Sequence, residues 1–329
     1  MKHVSILVPE GTASGAVTAS MDVLNEAGRF KMEMDDSVTE PFFKVELISL
    51  DQEFVECLGG YALKCHKSYK EISSTDLILV SNLTSDFEKK IRDNMGFIDF
   101  MKKQYAQGAD IGAFCTGTLL LAATGLLDNN KATTHWMAVD IFKKLFPKVN
   151  LLPDKIITDE GRLFCAGGST SFLNLVIYLV EKYCGHEIAV LLSKSMLIDM
   201  DKAPQSAYAI FSIQKEHGHL DILNAQNYIE NNVNKEIKVD DLVDITALSK
   251  RSFNRKFKEV TGNTPNDYIQ RVKMEWARNK LEFEDIDIQQ LSYQLAYNDP
   301  GTFRRIFKKH IGITPKSYRD KFKRMAPNQ

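Results

Sequence analysis

Residues 301 to 319 read GTFRRIFKKHIGITPKSYR, and fifty residues earlier, residues 251 to 269 read RSFNRKFKEVTGNTPNDYI. Phe253, Arg255, Phe257, Lys258, Gly262, Thr264, Pro265 and Tyr268 recur in order as Phe303, Arg305, Phe307, Lys308, Gly312, Thr314, Pro315 and Tyr318. An apolar pair four residues apart, studded with Arg and Lys and closed by Gly-x-Thr-Pro, predicts a short helix with one buried stripe, a cationic outer face and a firm stop. Two such units predict an all-α C-terminal segment with two helix-turn-helix motifs. Ser249 is placed to cap the first recognition helix, which runs to about Val260 with Phe253, Phe257 and Val260 inside. Asp299 and Pro300 open the second, with Phe303 and Phe307 inside. The outer faces then carry Lys250, Arg251, Asn254, Arg255 and Lys258 on one copy, and Thr302, Arg304, Arg305, Lys308 and Lys309 on the other.

A solvated helix face is the plain alternative for such cations. It loses ground because both copies set Arg at the same offset from the same buried pair, beside a tight turn. A helix offered this way fits the DNA major groove, where Arg forks onto guanine, Asn pairs with adenine and Lys neutralises phosphate. Around the two copies the pattern stays helical. Leu220 to Asn232 and Val239 to Asp244 support the first, and Ile288, Leu291 and Leu295 support the second. Between them a longer helix from Thr264 and Pro265 has Tyr268, Ile269, Val272, Trp276 and Leu281 as its stripe.

Upstream, the text alternates between two periods. VSILV (4 to 8), FFKVELISL (42 to 50), DLILV (76 to 80), ADIGAFC (109 to 115) and RLFCAG (162 to 167) are apolar runs of strand length. Amphipathic stretches at 86 to 106, 117 to 127, 136 to 146 and 170 to 183 lie between them, with Gly167 and Gly168 at the turn into the last. Alternation of this kind predicts a doubly wound, mostly parallel α/β sheet. Residues 196 to 217 are polar without a clear period and read as a connector. The organisation expected is therefore 1 to 195, a linker of 196 to 217, and 218 to 329.

Charge supports this division. Among 329 residues with a net charge of -1, residues 220 to 329 hold 20 Lys and Arg against 15 Asp and Glu, and the rest hold 22 against 28. The basic part and the acidic part should meet different partners. No apolar run reaches the roughly 20 residues of a membrane span, and the start, MKHVSILVPEG, has neither an apolar leader core nor a cleavage site, so a cytoplasmic location and no membrane partner are expected. Cys57, Cys65, Cys115, Cys165 and Cys184 form no Cys-x-x-Cys pair and have no His at finger spacing. They read as reduced thiols, with no metal site and no cofactor expected.

At Leu242, Ser249, Arg251, Phe253, Arg255, Phe257, Arg271, Ala277 and Leu281, and over YNDPGTFRRIFKKHIGITPKSYR (297 to 319), the chain resembles the AraC family of bacterial transcription regulators. The resemblance implies that each monomer of an expected homodimer sets two recognition helices into successive major grooves on one face of double-stranded DNA; RNA polymerase is a further candidate partner. Ser292 and Ala296 depart from the family's usual Ala and Gly before the second turn, both by small residues. The first part resembles the glutamine-amidotransferase-like superfamily that includes the PfpI-type proteases, through AFCTGTLLLAATGLLD (113 to 128) and KATTHW (131 to 136). Together the two parts resemble the GlxA-type branch of AraC regulators.

That second resemblance implies that Cys115 sits on a sharp turn at a helix start, where backbone N-H groups acidify the thiol, with His135 nearby. It also exposes departures. Thr116 stands where the proteases have His, and Ala16 stands where many relatives have an acid, which leaves Glu10 as the only candidate to reach in. A thiol enzyme needs a nucleophile, a base and a group to orient the base. Three readings therefore remain: a cysteine-dependent hydrolase or amidotransferase-like enzyme fused to a DNA-binding module, a catalytically degenerate domain whose Cys115, Thr116 and His135 line an effector pocket, and a homodimerisation scaffold.

Overall fold

The structure is a computed structural model that describes residues 1–200, 203–211 and 214–323. Part of the expected connector, residues 201–202 and 212–213, and residues 324–329 lie outside the described residues. The chain forms two compact units, Met1–Gln205 and Ser206–Gln329.

The first unit is a doubly wound α/β layer structure. β1 (Lys2–Leu7) leads into α1 (Ser14–Met34), then β2 (Phe43–Ser49), a hairpin of β3 (Phe54–Glu56) and β4 (Ala62–Lys64), β5 (Lys67–Ser68) and β6 (Leu77–Val80). Next come α2 (Phe87–Asp93), α3 (Met95–Ala106), β7 (Asp110–Phe114), α4 (Thr118–Ala123), β8 (Lys131–Ala132), α5 (Val139–Leu145) and β9 (Asn150–Leu151). The unit closes with β10 (Ile157–Asp159), β11 (Leu163–Ala166), α6 (Ser171–Cys184) and α7 (His186–Ser195). The main sheet runs β10-β11-β7-β6-β1-β2-β5, parallel throughout except for the antiparallel β10–β11 pair.

Why the strands lack polar alternation is visible in the two cores. Leu77 and Leu79 of β6 pack with α1, α6 and α7 on one face, whereas Ile78 and Val80 pack with α3, α4 and α5 on the other. With helices on both faces, each residue of a central strand meets apolar surface, so a continuous apolar run is what the fold requires. One expected helix differs. The stretch 86 to 106 breaks at Asn94, which is buried and turns its side chain back to the Lys90 carbonyl (2.8 Å). A side-chain amide that satisfies a backbone carbonyl competes with the helix ladder, and here it separates α2 from α3.

The second unit consists of α8 (Leu220–Asn231), α9 (Val239–Asp244), α10 (Lys250–Thr261), α11 (Pro265–Phe283), α12 (Ile288–Gln294), α13 (Pro300–Ile311) and α14 (Pro315–Phe322). Ser249 accepts from the Ser252 N-H (3.3 Å), and Asp299 accepts from those of Gly301 (3.0 Å) and Thr302 (2.7 Å). Gly262 and Gly312 end α10 and α13 at φ +72° and +84°, a left-handed conformation that glycine adopts without penalty. Phe253, Phe257, Phe303 and Phe307 are fully buried. The third inward position of α10 is Thr261 rather than Val260, which is only half-buried; Thr261 matches Ile311 in the second copy.

Candidate nucleic-acid interface and Cys115 site

The two recognition helices present cations because their apolar stripes are consumed inside. Phe257 meets Tyr268 edge-on (5.3 Å) and Phe307 meets Tyr318 in the same way (5.6 Å), so each turn is clamped by one aromatic pair. Lys250, Arg251, Arg255 and Lys258 are exposed on α10, as are Arg304, Arg305, Lys308 and Lys309 on α13. They are not equivalent. Lys250 is paired with Asp240 (2.6 Å), the Asn254 amide is turned back onto the Lys250 carbonyl (2.8 Å), and the Thr302 hydroxyl donates to its own cap, Asp299 (2.8 Å). The side chains of Arg251, Arg255, Lys258, Arg304, Arg305, Lys308 and Lys309 make no hydrogen bond or ion pair among the described residues.

Two buried cations fix the helices that carry this surface. Lys273 of α11 donates to the carbonyls of Lys235 (2.7 Å) and Leu295 (2.8 Å), beyond the ends of α8 and α12. Burial pushes its pKa down to about 8. Arg278, also buried, donates to the Tyr318 hydroxyl (2.8 Å), pairs with Glu275 (3.1 Å) and holds the carbonyls of Ala209 and Ala207. The departures before the second turn resolve simply. Ser292 is buried and satisfies itself on the Gln289 carbonyl (2.7 Å), and Ala296 takes φ +57°, a left-handed angle that costs a residue with a Cβ.

In the first unit, β7 ends at Phe114 and the chain reverses through Cys115 at φ +57° into a short 3-10 turn before α4. A strained strand-to-helix corner of this kind persists only where its surroundings hold it. Here Gly117 lies so close to the carbonyls of Ser81 and Val80 that a Cβ would overlap them. The Thr116 hydroxyl bonds the backbone of Leu83, donating to its carbonyl (2.6 Å) and accepting from its N-H (2.9 Å). The Cys115 carbonyl accepts from the hydroxyls of Thr118 (2.9 Å) and Thr134 (3.2 Å).

The thiol itself is buried, and burial pushes its pKa up, against the opposing pull of hydrogen bonds from Thr116 and from the Ser169 hydroxyl. The acidified thiol expected at a helix start is therefore not what the structure holds: removal from water outweighs the pull of Thr116 and Ser169. Ser169 was not legible in the sequence, since nothing in a Gly-Gly-Ser turn marks which strand end it will face. Two positions bear on whether an acid reaches the thiol. Ala16 is buried in α1, Glu10 is exposed, and the β1–α1 corner is instead filled by Thr12, whose hydroxyl contacts Ser81 (3.0 Å) and Asn82 (3.1 Å).

His135 follows directly on Thr134. Its Nδ1 accepts from the Met137 N-H (3.1 Å), and burial lowers its pKa, both of which favour the neutral ring with its proton on Nε2. A ring in that state has no acceptor left for a thiol proton.

The DJ-1/PfpI family matches residues 2–182, and a helix-turn-helix domain matches residues 242–321. The chain is 22% identical over 324 residues to the HTH-type transcriptional regulator CdhR of Pseudomonas aeruginosa, covering 98% of this chain and 92% of that one. An isonitrile hydratase of Pseudomonas putida is 30% identical over 153 residues, 46% of this chain and 64% of the hydratase. In fold the chain is similar to Drosophila melanogaster DJ-1beta, with a TM-score of 0.51 and 18% identity over 60% of this chain and 98% of that one. No helix among the described residues is long and apolar enough to cross a membrane.

Proposed function

The chain belongs to the DJ-1/PfpI family and ends in an AraC-type DNA-binding domain, and we propose that it is a cytoplasmic transcription regulator whose α/β unit senses a small polar effector at Cys115. The observation that carries the sensing half is the corner itself. Cys115 is kept in a strained conformation, with its carbonyl held by the hydroxyls of Thr118 and Thr134 and its thiol beside Thr116 and Ser169, which supports a polar site at this corner. The hydratase relative marks the fold as one that can host catalysis. In this chain a raised thiol pKa, a His135 ring without a free acceptor and Ala16 in place of an acid support a site that has lost catalysis.

On this reading the α/β unit also carries the homodimer contacts, and the DNA-bound regulator meets RNA polymerase. Recognition rests on Arg251, Arg255, Arg304 and Arg305 at base edges, with Lys258, Lys308 and Lys309 on phosphates, while Lys250, Asn254 and Thr302 enter the interface only by leaving their present partners. Coupling must be reciprocal: an effector that raises DNA affinity binds more tightly when operator is present. Filling the site with Cys115→Trp should abolish the response to effector in a reporter assay while basal operator binding survives. A normal response in that variant would make the α/β unit a dimerisation scaffold.

A further inference from the structure

Gln205, the last residue of the first unit, is almost fully buried, and its surroundings do not match its chemistry. The side-chain nitrogen lies 3.0 Å from each of four acceptors: the Thr133 hydroxyl and the carbonyls of Thr134, Pro153 and Lys155. A carboxamide has two N-H groups, so two acceptors at most are served. Its oxygen is buried without a hydrogen-bond partner. The seat is nevertheless shaped for the group, because a Cβ on Gly167 would overlap the carboxamide. Good shape with a stranded acceptor describes a seat that holds its occupant reversibly.

Two of the three segments that wall this seat, those of Thr133–Thr134 and of Gly167, also adjoin Cys115. Thr134 gives its carbonyl to Gln205 and its hydroxyl to the Cys115 carbonyl, and His135 follows it. Gly167 backs the carboxamide, and two residues later Ser169 bonds the thiol. Downstream, only Ser206 separates Gln205 from Ala207, whose carbonyl is held with that of Ala209 by Arg278 on α11, the helix between the two recognition motifs.

We propose that Gln205 is a displaceable internal ligand, a latch whose seating is coupled to occupancy of the Cys115 site and passed along the chain to the segment that enters the DNA-binding unit. This rests on reading Cys115 as the sensing site. A ligand that shifts either flanking segment changes the acceptors around Gln205, and unseating Gln205 frees both segments in turn.

The reciprocity is testable in the full chain with iodoacetamide as the site probe. Gln205→Glu sets a carboxylate among four acceptors and unseats the latch; Gln205→Met fills the seat without donors and keeps the measurement available if the first variant does not fold. Peptide-resolved mass spectrometry should find Cys115 alkylated at least about threefold faster in Gln205→Glu, and faster to a smaller degree in Gln205→Met, because local opening controls access to a buried thiol. In the wild type, alkylated Cys115 should speed amide exchange in the peptide covering 203–211. Unchanged alkylation in the variants, or unchanged exchange on alkylation, overturns the latch. The two readings fail separately. Reciprocity together with a normal effector response in Cys115→Trp keeps the latch and moves the effector elsewhere, whereas loss of reciprocity with a silent Cys115→Trp removes the latch alone.

Discussion

The first and second helix-turn-helix copies share a skeleton and differ in what their surfaces are free to do. In α10, Lys250 is neutralised by Asp240, Asn254 is folded back on its own helix and Lys256 pairs with Glu259, leaving Arg251, Arg255 and Lys258. In α13, Arg304, Arg305, Lys308 and Lys309 all stand open. The caps differ too, a neutral Ser249 against a carboxylate at Asp299 whose pKa is lowered by its bonds to Thr302 and the Gly301 N-H. The buried residues repeat, whereas of the exposed ones on α10 and α13 only Arg255/Arg305 and Lys258/Lys308 do and the rest diverge, which separates two demands on one motif. The stripe answers to packing, and the outer face is left free of it.

If the skeletons are equivalent, Phe257→Ala and Phe307→Ala should be equally damaging. Each empties a fully buried ring site and should cost about 3 to 5 kcal/mol in urea unfolding. A markedly milder loss in one copy would show that its core is the looser of the two. Lys273 tests whether the copies are held as one body. Its folded pKa of about 8 lies below the ordinary lysine value, so the unfolded chain binds more protons between the two and stability rises with pH across that window. The rise should total on the order of 3 kcal/mol, measured by urea unfolding from pH 7.5 to 10 and absent from Lys273→Met. An identical pH profile in that variant would contradict the assignment.

Smaller effects probe the outer faces. Arg251→Ala or Arg255→Ala should cost about 1 to 3 kcal/mol on the operator and relax base preference locally, while Lys308→Ala or Lys309→Ala should weaken all sequences alike and lower the salt slope by about one. Quantitative footprinting at two or more salt concentrations separates the two. Wild-type affinity and specificity in both arginine variants would sink the recognition assignment for the first copy. The smallest effect concerns the second turn: Ala296→Gly should add about 0.5 to 1 kcal/mol in thermal unfolding by relieving a left-handed alanine.

The helical unit was legible because its signals are local. Ser249, Thr264, Asp299 and Thr314 cap helices within three residues of themselves, and Phe253 and Phe257 are neighbours on one turn, so a reader of spacing alone can place them. The parallel sheet was legible for a related reason, since strands covered on both faces leave continuous apolar runs. The Cys115 site was legible only in part. Its position came from the resemblance, but Ser169 lies over fifty residues away and the thiol's burial is set by packing that no spacing encodes. Gln205 lay in a polar stretch without a period, and all four of its side-chain acceptors are at least fifty residues distant. Long-range polar contacts carry no periodicity, and periodicity was the signal available.

Lys273, by binding beyond the ends of α8 and α12 at once, turns α11 into a ruler. The helix has 19 residues and so measures about 28 Å, comparable with the roughly 34 Å of one turn of B-form DNA. A rigid spacer of that length commits the two recognition helices to a fixed phase on the duplex. Operators should then tolerate changes in the sequence between the two half-sites far better than changes in its length. An insertion of half a turn would carry the second half-site to the opposite face, out of reach of a domain that cannot stretch.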